Sequence, residues 1–114
     1  MKPIAAMLLG CCFAMTTQAE QPQTAYSFIS GDDLFDALSQ DSMVLQGYML
    51  GVTDALKHSS EPAECFTIPL RPDADQVIYA SYLRYWKERS PRPNDATQAI
   101  SEMMVHAFPC SFNN

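Results

Sequence analysis

The chain is poor in basic residues, in histidine and in glycine. Its 114 residues include 7 Lys and Arg against 13 Asp and Glu, for a formal net charge of −6. Nucleic-acid binding needs a basic surface that displaces counterions from phosphates, so this balance argues against a nucleic-acid partner. The sequence has 2 histidines and no HExxH, GxSxG, P-loop or paired CxxC motif. We therefore expect a binding protein without a cofactor or metal, and not an enzyme.

Long apolar runs are also missing, except at the N-terminus. Lys2 precedes an apolar stretch over residues 4–15, and small residues, among them Ala19, follow at the positions expected of a cleavage site. This arrangement predicts a secretory signal peptide over residues 1–19 and a periplasmic protein, because the stretch is too short to span a bilayer. A second interpretation places lipidation at Cys11 and anchors the protein to the envelope.

Cleavage after Ala19 would remove two of the four cysteines. The remaining pair, Cys65 and Cys110, would then lie in an oxidising compartment. A bridge between them closes a loop of about 45 residues, which stabilises a folded chain by about 4 kcal/mol. The alternative is a reactive cysteine with His58 or His106 as its base. Two cysteines without a second motif favour a structural disulfide, and the two histidines are expected in structural or surface positions.

Residues 20–114 are predicted to form one all-α domain, a small bundle of about four helices. Ser30 and Asp33 have the spacing of a capping box, which starts the first helix. Apolar periodicity and capping residues predict the other three helices at 43–57 after Asp41 and Ser42, at 74–89 after Asp73, and at 95–107 after Asn94. Residues 65–68 are predicted to be an extended connection, because no partner strand is evident.

Helical spacing also predicts which faces are buried. The second helix has an apolar face of Leu45, Tyr48, Met49, Val52 and Leu56, with Thr53 turned away. Its flank carries small residues every fourth position, which predicts close approach of another backbone at Gly47, Gly51 and Ala55. The fourth helix has a core stripe of Ala96, Ala99, Ile100, Met103 and Ala107.

The third helix has the widest apolar surface, about 160° of its circumference, with Ser81 and Arg84 on the opposite side. Either this helix lies in the core with its tyrosines at the rim, or part of the surface binds another protein. A stiff basic loop rich in proline follows at 87–93, and the loop at 58–64 is a second candidate. The predicted partner-binding residues are Tyr82, Tyr85, Trp86, Lys87, Arg89, Arg92 and Asn94.

Four segments of the sequence resemble, in this order, those of the Tai/Rap-type immunity proteins: GYMLGVTDAL at 47–56, CFTIP at 65–69, QVIYASYLRYW at 76–86 and AISEMMVHAFPC at 99–110. Members of this family are periplasmic antidotes to cell-wall amidase toxins that Gram-negative bacteria inject by type VI secretion. The resemblance implies a small, disulfide-containing helical protein, often a homodimer, that blocks the catalytic cleft of a cognate peptidoglycan amidase. The sequence departs from the pattern at Leu38 and Leu45, where many members have a second cysteine pair.

Two other functional classes also fit the sequence. An acid-stress chaperone of the Hde type is likewise small, exported and helical with two cysteines, although Trp86 is distant in sequence from Cys65 and Cys110. Such a chaperone exposes apolar surface near pH 2–3, so its behaviour in acid distinguishes it from an inhibitor. The third class is a structural envelope protein, anchored through Cys11, which the mass of the mature N-terminus would identify.

Overall fold

A computed structural model describes residues 27–59 and 65–110 of the chain. The predicted signal peptide, Cys11 and most of the 58–64 loop lie outside these ranges. The described residues form four α-helices, α1 (Gly31–Ser39), α2 (Met43–Ser59), α3 (Ala74–Lys87) and α4 (Ala96–Ala107). The predicted all-α bundle is therefore confirmed. Relative to the predicted boundaries, α2 ends two residues later and α3 ends two residues earlier.

The start of α1 and the turn into α2 follow from local hydrogen bonding. The Ser30 hydroxyl accepts from the Asp33 amide at 3.0 Å and the Asp33 carboxylate accepts from the Ser30 amide at 3.1 Å, which confirms the capping box. At the other end, Asp41 has a φ of 56°, and its amide donates to the Leu38 carbonyl at 3.1 Å. The Ser42 amide donates to the Ala37 carbonyl at 3.0 Å, and this pair of bonds is a Schellman motif. The motif confirms that residues 41 and 42 separate the two helices.

The caps of α3 and α4 differ from the prediction. Asp73 precedes α3 but makes no capping hydrogen bond, because its carboxylate accepts from the Arg71 guanidinium at 2.6 and 3.2 Å. The cap of α4 is Asp95 and not Asn94, since Asp95 accepts from the Thr97 amide at 2.9 Å. Asp95 also accepts from the Ser27 hydroxyl at 3.3 Å, which ties the segment before α1 to the start of α4.

Helix α4 is the centre of the bundle, because it packs against α1, α2 and α3. Its buried residues include four that were predicted, whereas Ala107 is exposed and Met104 is buried instead. The hydrophobic core consists of Leu34, Leu38, Met49, Phe66, Ile78, Tyr79, Tyr82, Trp86, Ala96, Ala99, Ile100, Met103 and Met104.

Two polar residues assigned to the solvent side are in fact buried. Thr53 is 1% exposed, and its hydroxyl donates to the Met49 carbonyl one turn earlier at 2.8 Å, so its O–H donor has an acceptor within α2. Ser81 is 6% exposed, and its hydroxyl has no hydrogen-bond partner among the described residues. The predicted orientations of α2 and α3 were therefore wrong at these two positions.

The connection between α2 and α3 is fastened to the end of α4. Cys65 and Cys110 form the predicted disulfide, with their Cα atoms 5.5 Å apart. Beside it, Phe66 and Pro109 form an isolated antiparallel β-bridge, and the Thr67 amide donates to the Phe108 carbonyl at 2.8 Å. The predicted extended connection is thus confirmed, and its pairing partner is the segment that follows α4.

The glycine that allows close backbone approach is Gly31. A Cβ at this position would lie 2.7 Å from the Pro93 carbonyl oxygen, and the Gly31 amide donates to that same oxygen at 2.8 Å. By contrast, a Cβ at Gly47 or Gly51 would meet no atom within 4 Å, and Ala55 is exposed. The predicted close packing at Gly47, Gly51 and Ala55 is therefore not made within the described part of the chain.

Candidate functional site

Two of the predicted partner-binding residues belong to the core. Tyr82 is 0% exposed, and its hydroxyl donates to the Gly31 carbonyl at 2.9 Å. Burial raises the pKa of Tyr82 well above its ordinary value. Trp86 is 3% exposed, and its indole N–H donates to the Ala99 carbonyl at 3.2 Å. Their assignment to a partner-binding surface was wrong, because the wide aromatic stripe of α3 is buried against both α1 and α4.

Arg92 is also engaged within the fold. Its guanidinium donates to the Trp86 carbonyl at 2.9 and 3.2 Å and to the Asp32 carboxylate at 2.8 Å. It also lies 3.8 Å from the centre of the Phe35 ring. Arg92 therefore joins the loop after α3 to the C-terminus of α3 and to the first turn of α1. The Arg92 side chain is 20% exposed, so it is mainly a structural residue.

The other four predicted residues reach the surface. Lys87, Arg89 and Asn94 are exposed and Tyr85 is half-buried. The Arg89 guanidinium stacks over the Tyr85 ring with 3.8 Å between its central carbon and the ring centre, and it donates to the Tyr85 carbonyl at 2.7 Å. The loop over 88–94, together with the Trp86 and Glu102 positions, lines a shallow depression of about 630 Å³. A basic edge of the molecule, formed by Arg84, Lys87 and Arg89, thus follows the C-terminal half of α3 into this loop.

A second cleft lies between α3 and α4 and contains residues that sequence reasoning did not select. We call it the cationic cleft; its volume is about 390 Å³, and it is lined by Ser81, Arg84, Tyr85, Arg89, His106 and Ala107. The signal for it was the position of Ser81 and Arg84 on the side of α3 opposite its apolar stripe.

Tyr85 forms one wall of the cationic cleft and is fixed on several sides. Its hydroxyl donates to the Glu102 carboxylate at 2.9 Å, and its ring centre lies 4.9 Å from that of His106. Partial burial raises the pKa of Tyr85, and the hydrogen bond to Glu102 raises it further. The phenol therefore stays neutral and directs its proton towards Glu102, which does not line the cleft.

Leu70, which no sequence pattern singled out, is 100% exposed in the connection before α3. The ion pair of Arg71 with Asp73 fixes the chain directly after it. Other large apolar side chains on the surface are Phe28, Met43 and Val44, of which the last two begin α2. Single exposed apolar residues are common, but a fully exposed leucine that follows Pro69 has no role in the core of this fold.

Within residues 27–59 and 65–110, no cluster of His, Cys, Asp or Glu has the geometry to hold a metal ion. Nor does any helix in these ranges have the length and apolarity required to cross a membrane. The described chain is thus a disulfide-linked helical bundle with a basic edge and a small cationic cleft. It matches no protein-family model, and no curated protein or solved structure is significantly similar to it.

Proposed function

We propose that this protein is a periplasmic immunity protein that binds a peptidoglycan amidase toxin delivered by type VI secretion and occludes its catalytic cleft. The observation that carries the proposal is the basic edge of Arg84, Lys87 and Arg89, three exposed cations on a chain with a formal net charge of −6. Such a concentration of one charge favours a protein partner of opposite local charge. The sequence resemblance supplies the class of that partner.

The rigidity of the loop over 88–94 supports an inhibitory role. Pro91 and Pro93 restrict its backbone, and Arg92 ties it to α1 and α3 through the bonds described above. A loop that is already ordered loses little conformational entropy when it enters a cleft in a partner. The disulfide between Cys65 and Cys110 fits an oxidising compartment such as the periplasm.

The resemblance also implies a homodimer, and the exposed face of α2 is where we place the contact. Met43 and Val44 are exposed there, and the space above Gly47 and Gly51 is open. A bulky substitution such as Gly51→Leu should leave the monomer folded and shift the monomer–dimer equilibrium towards the monomer. Sedimentation equilibrium measures this shift. A wild-type protein that is monomeric at all concentrations would contradict this part of the proposal.

The test of function is inhibition of a small amidase with a Cys-His pair encoded in a neighbouring reading frame. Hydrolysis of purified peptidoglycan by that amidase should stop at an equimolar amount of this protein. The variant Lys87→Glu combined with Arg89→Glu should weaken inhibition by at least tenfold, since it reverses the charge of the basic edge. Arg92 is left unchanged because its substitution would disturb the fold.

The matched control is Lys57→Glu combined with Arg71→Glu, which makes the same charge change at exposed positions on α2 and before α3. This variant should inhibit nearly as well as the wild type. Hydrolysis that continues unchanged in the presence of the wild-type protein would contradict the proposed function. An equal effect of both double variants would instead show that only the overall charge matters.

A further inference from the structure

We infer that the cationic cleft between α3 and α4 binds a carboxylate group of the partner protein, carried by an Asp or Glu side chain. This inference rests on the proposed function, because it assigns to the partner the chemical group that the cleft recognises. The cleft shares only Arg89 with the depression lined by the loop over 88–94, and its lining was described above.

The first observation is a buried hydroxyl without a partner. Ser81 is 6% exposed and lines the cleft, yet its hydroxyl makes no hydrogen bond with any described residue. By contrast, the buried hydroxyls of Thr53 and Tyr82 donate to the Met49 and Gly31 carbonyls. A buried polar group without a hydrogen bond costs free energy in the unbound protein, so it indicates a place for a ligand atom.

The second observation is the state of the cations around that hydroxyl. Arg84 makes no ion pair or hydrogen bond through its side chain with any described residue. Among the described residues, the Arg89 guanidinium donates only to the Tyr85 carbonyl, so most of its N–H groups remain available. Because a guanidinium presents paired N–H donors in one plane, a carboxylate that enters the cleft can accept two parallel hydrogen bonds from one arginine.

The lining of the cleft favours a carboxylate carried on a side chain over an inorganic anion. The Tyr85 ring and the Ala107 methyl group give the cleft an apolar side, against which the methylene groups of Glu or Asp can pack.

The direct test uses a synthetic probe and the purified, oxidised protein. A blocked Gly-Glu-Gly peptide is titrated into isotopically labelled protein and followed by NMR, with Gly-Gln-Gly and inorganic phosphate as the comparison probes. Shifts should centre on residues 81–89 and 106 with the Glu peptide and be weak with the Gln peptide. Binding of the Gln peptide with equal affinity, or tighter binding of phosphate, would overturn the carboxylate assignment.

The variants Arg84→Gln and Ser81→Ala test the two observations separately. Arg84→Gln should weaken binding of the Glu peptide by about tenfold or more, as expected for loss of a charged hydrogen bond. Ser81→Ala should weaken it by several-fold while urea unfolding shows equal or higher stability, because the hydroxyl has no partner in the unbound protein. A merely structural role for Ser81 would lower stability and leave binding unchanged.

The matched control is Lys57→Gln, which removes the same charge at an exposed position of α2 outside the cleft lining. It should change the affinity for the Glu peptide by less than twofold. A loss of affinity equal to that of Arg84→Gln would contradict binding in the cationic cleft. Inhibition of the amidase separates this inference from the proposed function. If the Glu peptide binds but the wild-type protein does not inhibit the amidase, the proposed function is contradicted. If Arg84→Gln and Ser81→Ala inhibit the amidase as well as the wild type does, the proposed role of the cationic cleft is contradicted.

Discussion

At the scale of single residues, substituting alanine for the three described glycines should change the stability of the fold in opposite directions. Gly31→Ala should destabilise the fold by about 1–3 kcal/mol, because its Cβ would lie 2.7 Å from the Pro93 carbonyl oxygen and 3.2 Å from the Ala99 Cβ. Gly47→Ala and Gly51→Ala should each stabilise the monomer by about 0.5–1 kcal/mol, since both lie in open space within α2. Urea denaturation measures all three changes. A loss of stability at Gly47 or Gly51 would contradict the observed packing.

Tyr82 should make the fold sensitive to alkaline pH. Burial raises the pKa of Tyr82 in the folded protein above its ordinary value of 10.0. The folded state therefore retains a proton that the unfolded chain loses, so stability is complete below about pH 10 and falls as the pH rises further.

The variant Tyr82→Phe isolates this effect. At neutral pH it should lower the free energy of unfolding by about 1 kcal/mol, because the Gly31 carbonyl loses its donor. Between pH 10 and pH 11 the free energy of unfolding of the variant should fall by less than that of the wild type. Unfolding curves at pH 7 and at several alkaline values measure both effects, and parallel losses in the two proteins would contradict them.

Residues also show where reasoning from the sequence alone ends. The periodicity of α2 and α3 identified most core positions, but it placed the polar residues Thr53 and Ser81 away from the apolar faces. Thr53 can be buried because the helix itself supplies an acceptor for its hydroxyl. Ser81 is buried without any such acceptor, and its place beside the cationic cleft depends on how α3 meets α4. Polarity therefore fails as a guide where local or functional hydrogen bonding intervenes.

At the scale of helices, Asp41 lies in the turn between α1 and α2 and has a φ of 56°. It is the only non-glycine residue with a positive φ among those that the structure describes. Asp41→Gly should stabilise the protein by up to about 1 kcal/mol, because glycine adopts this conformation without steric cost. Asp41→Val should destabilise it by about 1–2 kcal/mol, because a branched Cβ clashes there. Thermal unfolding of the pair gives the comparison. Equal melting temperatures for the two variants would be inconsistent with this turn.

Helix boundaries were predictable because they depend on nearby residues. The Ser30 and Asp33 spacing gave the start of α1 correctly, and a polar pair correctly separated α1 from α2. The cap of α3 was not predictable, since Asp73 has a competing partner two residues away in Arg71. At the start of α4, both Asn94 and Asp95 are residue types that cap helices well, so the sequence did not decide between them. The Ser27 hydroxyl, which donates to Asp95, comes from a distant part of the chain and could not be anticipated from neighbouring residues.

At the scale of the whole molecule, the disulfide should provide much of the stability. It closes a loop with a sequence separation of 45 residues, for which the entropic contribution is about 4 kcal/mol. The variant with both Cys65→Ala and Cys110→Ala should lose about this amount in urea unfolding. Reducing agent should lower the stability of the wild type to a similar value and leave the variant unaffected. Equal stability of oxidised and reduced wild type would contradict this role.

The candidate site was only partly predictable, because it is assembled from separate helices. The sequence located the basic segment around Lys87 and Arg89 correctly on the surface. It could not show that Arg92 would be consumed by bonds to Trp86 and Asp32, since that depends on how α1 meets the end of α3. Nor could it bring His106 on α4 beside Arg84 on α3 and Arg89 in the loop that follows. Periodicity assigns faces to each helix but not the pairing between helices.

The disulfide has a further consequence for how the protein would respond to proteolysis. Cys65 and Cys110 enclose all of α3, the exposed loop over 88–94 and α4. A single cut in that loop would therefore leave two fragments that remain covalently joined and still packed around a common core. Such a nicked protein would migrate as one species on a gel without reducing agent and as two species with it.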